Sequence, residues 1–230
     1  MTGRKKETHK INRIGWLRAA VLGANDGIIS TSSIMLGIAA ANPDRASVLL
    51  AGVAALAAGA MSMAAGEYIS VSSQADAEKA ALNEEKAELD SDAEGEHREL
   101  AAIYVRRGVQ LTLARQVASQ LMAKDALAAH ARDELGINEI TSAQPLLAAV
   151  SSALSFSTGA LVPLAVGLLC SDQYRTIAII GFSLASLAVL GGVAAKIGGA
   201  PMTPGIARII FWSSIAMGVT IAVGHAFGAK

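Results

Sequence analysis

Reactive and cross-linking residues are scarce in this chain. One cysteine among 230 residues, Cys170, excludes an internal disulfide, and no cysteine spacing for a metal site exists. Cys170 ends an apolar run, where a small buried residue is expected. No nucleophile–base pair, phosphate-binding glycine loop or paired catalytic site is visible, so an enzyme is not expected. Charge is also sparse at 17% of residues, with a formal net charge of zero.

Apolar residues are abundant instead. They make up 53% of the chain, at a mean hydropathy of +0.45, which indicates a polytopic membrane protein. Hydrophobic segments fall at roughly 17–41, 46–72, 145–170, 175–196 and 206–228, all rich in the small residues that let membrane helices approach closely. Short polar turns, Asn42–Arg45 and Ser171–Tyr174, separate two pairs of them. The glycines and prolines of Gly198–Gly205 exclude one continuous helix through the last pair. A basic tripeptide, Arg4-Lys5-Lys6, precedes the first stretch, but that stretch is too long and too polar for a signal core and a second span follows directly, so it reads as a retained helix.

The few charges are segregated. Ten acids between Asp76 and Glu99 face only Lys79, Lys86 and Arg98, a local net charge of −7. Such a stretch cannot lie in lipid; it is a soluble acidic module, and it disfavours nucleic acid as a partner. The stretch 73–144 has no proline, and its apolar residues recur at helical spacing (Leu100, Ile103, Tyr104; Leu113, Val117, Leu121), with Gly95, Gly108 and Gly136 as expected breaks. Basic residues concentrate in the N-terminal arm, in 73–144 and beside the last loop, which places the N-terminus and the insert in the cytoplasm. The expected fold is an all-α membrane protein: five transmembrane helices with a cytoplasmic helical metal-binding insert between helices 2 and 3. Its parts are an arm at 1–13, helices 1–2 at 14–74, the insert at 75–143 and helices 3–5 at 144–230.

Asp26 carries a carboxylate in the middle of IGWLRAAVLGANDGIISTSSIMLGIAAA, residues 14–41. A charge at that depth costs at least about 2–3 kcal/mol on insertion scales, so it normally faces a cavity, a partner or an ion path. In the second span Met63, Glu67, Ser70 and Gln74 share one helical face, as Asp26, Ser30, Ser33 and Gly37 do in the first. Two carboxylates and a thioether suit a divalent transition metal, because sulfur biases the site away from Mg²⁺ and Ca²⁺. Met63 alone also fits a lipid-facing or packing role.

In the insert, Glu85 and Glu88 lie three apart, as do Glu96 and Glu99. A straight helix would hold the two pairs about 12 Å apart, too far for one ion. A break at Ser91–Gly95, or a second subunit, would be needed to join them; a solvated acidic face is the alternative. His130 and Glu134, at i and i+4, offer a further pair. His97 is expected to be solvated, His225 packed or interfacial, and His9 lies in the N-terminal arm.

LRAAVLGANDGIIST (17–31), GAMSMAAGEYISVSSQ (59–74), ELAAIYVRRG (99–108) and the final three-span block together resemble the vacuolar iron transporter family, in a bacterial-type form. The resemblance implies a homodimer that moves Fe²⁺, often also Mn²⁺, out of the cytosol by antiport with protons. It implies that Asp26, Met63 and Glu67 line the path between subunits, and that Glu85, Glu88, Glu96 and Glu99 collect metal. Plant members complete the collecting site with Met-Met-x-x-Glu; here His130 and Ala131 replace the methionines and Glu134 remains. The expected function is therefore proton-coupled export of a divalent metal as substrate, without a prosthetic group. A bacterial inner membrane is the expected location. A membrane-anchored metal buffer or sensor without transport is the rival reading.

Overall fold

The structure, a computed structural model, describes residues 11–137 and 143–228, with side chains in the first helix from Val21 onward. Residues 1–10 of the basic arm, with His9, lie outside the described residues, and residues 11–13, expected in the arm, open the first helix. Those described form helices α1 (Ile11–Ala41), α2 (Arg45–Ser91), α3 (Ala93–Arg106), α4 (Leu111–Asp133), α5 (Pro145–Leu169), α6 (Arg175–Ile197) and α7 (Met202–Gly228), with no strand among them. Five of these, α1, α2, α5, α6 and α7, are long and apolar enough to cross a membrane. The chain divides into two compact units, one of residues 1–67 with 147–230 and the other of residues 68–146.

In the first unit α1 is the axis. It packs along α6 and α7, burying Ile28, Met35 and Leu36 with Val48 of α2, Ile179 and Leu187 of α6, and Met217 of α7. The buried α1 positions recur at i, i+7 and i+8, one helical stripe. Outer faces carry Leu50, Val53, Leu161, Phe182, Val189 and Trp212, all exposed on the single chain. An exposed apolar surface of this extent requires lipid or protein around it.

Glycines set the helix spacing. A Cβ on Gly27 would fall on the backbone carbonyl of Phe156 in α5, and one on Gly159 on the carbonyl of Ala24, so α1 and α5 touch backbone to backbone. Further along α1, Gly37 lies against Thr220 and Gly224 of α7. Van der Waals packing is the main attraction between helices in lipid, so this proximity is the stabilising term. Polar contacts close the α5–α6 turn: Arg175 is buried and pairs with Asp172, which also lies 3.6 Å from Arg45.

The second unit is the far half of α2 with α3 and α4. Leu100, Ala101 and Ile103 of α3 pack on Ala114, Ala118 and Ala129 of α4, where alanines permit close approach. The break after α2 comes at Asp92 and not at Gly95: the Asp92 side chain accepts from the Gly95 amide at 2.8 Å and caps α3, with Gly95 inside its first turn. Gly108 (φ 96°) and Gly136 (φ 70°) do end helical segments, using the left-handed backbone that favours glycine. His97 is partly exposed and also bonded, its Nε2 lying 2.8 Å from Ser119 Oγ and 3.1 Å from the Arg115 carbonyl.

Two sequence expectations shift in the last helices. α7 starts at Met202 rather than near 206, with Pro204 in its first turn, where a missing N–H leaves no bond unmade. Cys170 is half-buried just beyond α5.

Gly27→Val should prevent α1 from seating on α5 and remove monodisperse protein from detergent extracts. Gly181→Ala, with no atom within 4 Å of an added Cβ, should leave melting unchanged or slightly raised. Size-exclusion chromatography after stepwise heating distinguishes the two.

Candidate metal centre

In the second unit, three helices aim ligating groups at one point. α2 brings Glu85, the first turn of α3 brings Glu96, and the last turn of α4 brings His130 with Glu134. One ligand atom from each lies within 4.8 Å of all the others. The Nδ1 of His130 stands 2.9 Å from Glu134 Oε2, 3.0 Å from Glu85 Oε1 and 3.7 Å from Glu96 Oε2. Metal–ligand bonds of about 2.1 Å give neighbouring ligand atoms separations of roughly 3.0–3.4 Å and opposite ones about 4.2 Å. The separations to Glu134 and Glu85 are near the first range, and that to Glu96 lies between the two.

Without a cation the arrangement is costly. His130 is 0% and Glu85 2% exposed in their side chains, Glu96 12% and Glu134 28%. Three carboxylates face one ring nitrogen, which donates at most one hydrogen; Glu134 is placed to take it, while Glu85 Oε1 and His130 Nε2 remain buried without partners. Burial first, then repulsion from the other acids, outweighs the attraction of His130 and raises the Glu85 and Glu96 carboxyls above the usual range. A divalent cation would neutralise the three carboxylates and bind the Nδ1 lone pair of His130, leaving the ring proton on Nε2. Three oxygens and one imidazole, without sulfur, suit Mn²⁺, Fe²⁺, Co²⁺ or Zn²⁺.

Glu88 and Glu99, the second members of the spaced pairs, are exposed and outside this group. Their effect is indirect, adding negative charge near Glu85 and Glu96 respectively. The Ser91–Asp92 break turns α3 back far enough for one carboxylate of each pair to converge.

A supporting knot was not legible in the sequence. Tyr104 Oη and Arg107 Nη1 each donate to Asp133 at 2.8 Å, and Arg132 reaches it at 2.7 Å. Burial would raise the Asp133 carboxyl, but bonds from Arg132, Arg107 and Tyr104 outweigh it and hold it at about 2. The knot anchors the end of α4 beside Glu134. Tyr104 and Arg107 lie 29 and 26 residues from Asp133, so no local pattern marks the knot.

In the membrane unit, Asp26 is exposed on α1, and Met63 and Glu67 are half-buried on α2. Gly23 and Gly27 press α1 onto α5, while Asp26 remains uncovered on the single chain. The same α1 face is buried higher up, at Ser33, and packs against α7 at Gly37. Among the described residues, Asp26 and Glu67 join no ion pair, and the only group of three or more ligating residues is that of the second unit. Asn25, beside Asp26, is a residue the spacing did not single out: its Oδ1 is buried without a partner.

Comparison with known proteins matches residues 17–225 to the profile described as "VIT family". A protein of Acanthamoeba castellanii named vacuolar iron transporter is 48% identical over 95% of this chain and 82% of its own length. VIT-like transporter 1b of Glycine max is 35% identical over 96% of this chain and 80% of its own. Vacuolar iron transporter homolog 1 of Oryza sativa subsp. japonica is 35% identical over 95% and 76%.

His130→Ala should weaken Mn²⁺ binding by about tenfold or more, one decade per 1.4 kcal/mol lost, while Glu88→Gln changes it little; calorimetry measures both. Because the folded-state carboxyls of Glu85 and Glu96 are raised, the metal-free protein binds extra protons on folding. Its melting temperature should therefore rise as pH falls from neutral towards the ordinary glutamate range. Saturating Mn²⁺ should flatten or reverse that slope, since metal and protons compete for these oxygens.

Proposed function

This chain belongs to the VIT family, and on that premise we propose that it carries Fe²⁺, and Mn²⁺ as a second substrate, out of the cytosol in exchange for protons. The observation that carries the reading is Asp26: a carboxylate on an exposed face of an apolar span, with no ion-pair partner among the described residues. A lipid-facing carboxylate is untenable, so that face must meet protein or an aqueous path. A second copy of the chain supplies both, and the glycine-rich spans favour such close pairing. In the homodimer Asp26, Met63 and Glu67 from each subunit line the path.

The centre formed by Glu85, Glu96, His130 and Glu134 gathers the ion first, with Glu88 and Glu99 as an outer ring of negative charge. The ion then passes to Asp26, Met63 and Glu67, where the Met63 thioether favours transition metals over Mg²⁺. On the far side protonation removes the charge that holds the cation, so one carboxylate serves metal and proton in turn. Basic residues in the N-terminal arm and in 73–144 support a cytoplasmic N-terminus and insert. The bacterial inner membrane is the location this reading favours. No catalytic step is required.

Proteoliposomes with a pH-sensitive dye inside test the reading. Wild-type protein should admit Fe²⁺ and Mn²⁺ with opposing proton flux, and Asp26→Ala should fall to the level of empty liposomes while still binding metal at His130. Metal binding without flux in correctly inserted wild type would make the protein a membrane-anchored metal buffer instead.

A further inference from the structure

The α3–α4 face of the second unit carries a cluster of opposite charge. A pocket of about 290 Å³ lies between the two helices, with Arg98, Arg106 and Arg115 on its rim and Ala101, Val105 and Leu111 among its walls. Acidic residues are plentiful in this unit, yet they leave these arginines nearly unpaired. Arg98 only approaches Asp92 and Glu94, at 3.9 Å each, and Arg106 and Arg115 join no ion pair among the described residues. Arg107, the neighbour that does pair, is taken by Asp133 outside the pocket.

A second feature of the same pocket has the same sign. Leu111 is the first residue of α4, a helix that starts at Gln110 with no side-chain cap. The first intrahelical bond there is from the Ala114 amide to the Gln110 carbonyl, at 2.8 Å. The amides of Leu111, Thr112 and Leu113 therefore begin the helix without intrahelical acceptors, at its positive end. Guanidiniums and free helix N-terminal amides are the two donor types that recognise phosphate. The pocket's shape is fixed by His97, which ties α3 to Arg115 and Ser119 of α4.

We infer that this pocket binds a phosphoryl anion, held by Arg106 and Arg115 with the α4 N-terminus, and that its apolar wall accepts an adjoining apolar group. Lipid headgroups and free phosphate compounds share this chemistry. The assignment does not rest on transport. It does predict linkage with the metal centre, because α3 also carries Glu96 and α4 carries His130 and Glu134.

The test titrates full-length protein in neutral detergent with inorganic pyrophosphate and, separately, with dioctanoyl phosphatidic acid, using dioctanoyl phosphatidylcholine as control. The comparison is the double variant Arg106→Gln/Arg115→Gln, whose residues are exposed and whose fold is checked by unchanged Mn²⁺ affinity. Saturable binding by wild type, weakened about tenfold or more in the variant and by added salt, supports the site. Binding of pyrophosphate alone assigns it to a soluble compound; binding of phosphatidic acid alone assigns it to a headgroup; binding of both shows recognition of the phosphoryl group itself. Absence of saturable binding by either probe, or equal binding by the double variant, overturns the inference.

Discussion

A carboxylate removed from water needs a positive partner, and the candidate site residues of this chain are organised by that requirement. In the second unit Glu85 and Glu96 are drawn inside around His130, whose single ring nitrogen cannot satisfy them together with Glu134. Removing several such charges from water costs several kcal/mol each unless a cation repays it. In the membrane unit Asp26 lies on an apolar span with no ion-pair partner among the described residues. Both places are unfavourable for an empty protein and favourable for one that handles a divalent ion.

What makes such placements tolerable is rigidity elsewhere. Backbone contact at Gly27 and Gly159 fixes α1 on α5 and so fixes the position of Asp26. In the other unit the Asp133 knot and the Asp92 cap fix the ends of α4 and α3, where Glu134 and Glu96 sit. The same two helices carry acidic ligands at one site and arginines around another, so an anion and a cation bound there would influence each other through one pair of helices.

The fold was largely legible because its signals are local. Apolar runs of membrane length, the turns at Asn42–Arg45 and Ser171–Tyr174, and helical spacing in the insert each depend on nearby residues. The i, i+4 pair His130 and Glu134 was legible for the same reason. Which carboxylate of each spaced pair points inward was not, because that depends on how α3 folds back on α2 after Asp92. Gly95 looked like the break, yet a short acidic side chain capping α3 decided it. The Tyr104–Arg107–Asp133 knot and the α3–α4 arginine pocket join residues distant in sequence and carry no local pattern.

The central claim is that the same carboxylates hold metal and protons by turns. Calorimetric titration of the purified full-length protein with Mn²⁺ at about pH 6, in two buffers of different ionisation enthalpy, tests it most directly. The account predicts heats that differ between buffers, reporting proton release on metal binding, with a smaller difference in the Asp26→Asn/Glu67→Gln and Glu85→Gln variants. Identical heats in both buffers for the wild type would contradict it.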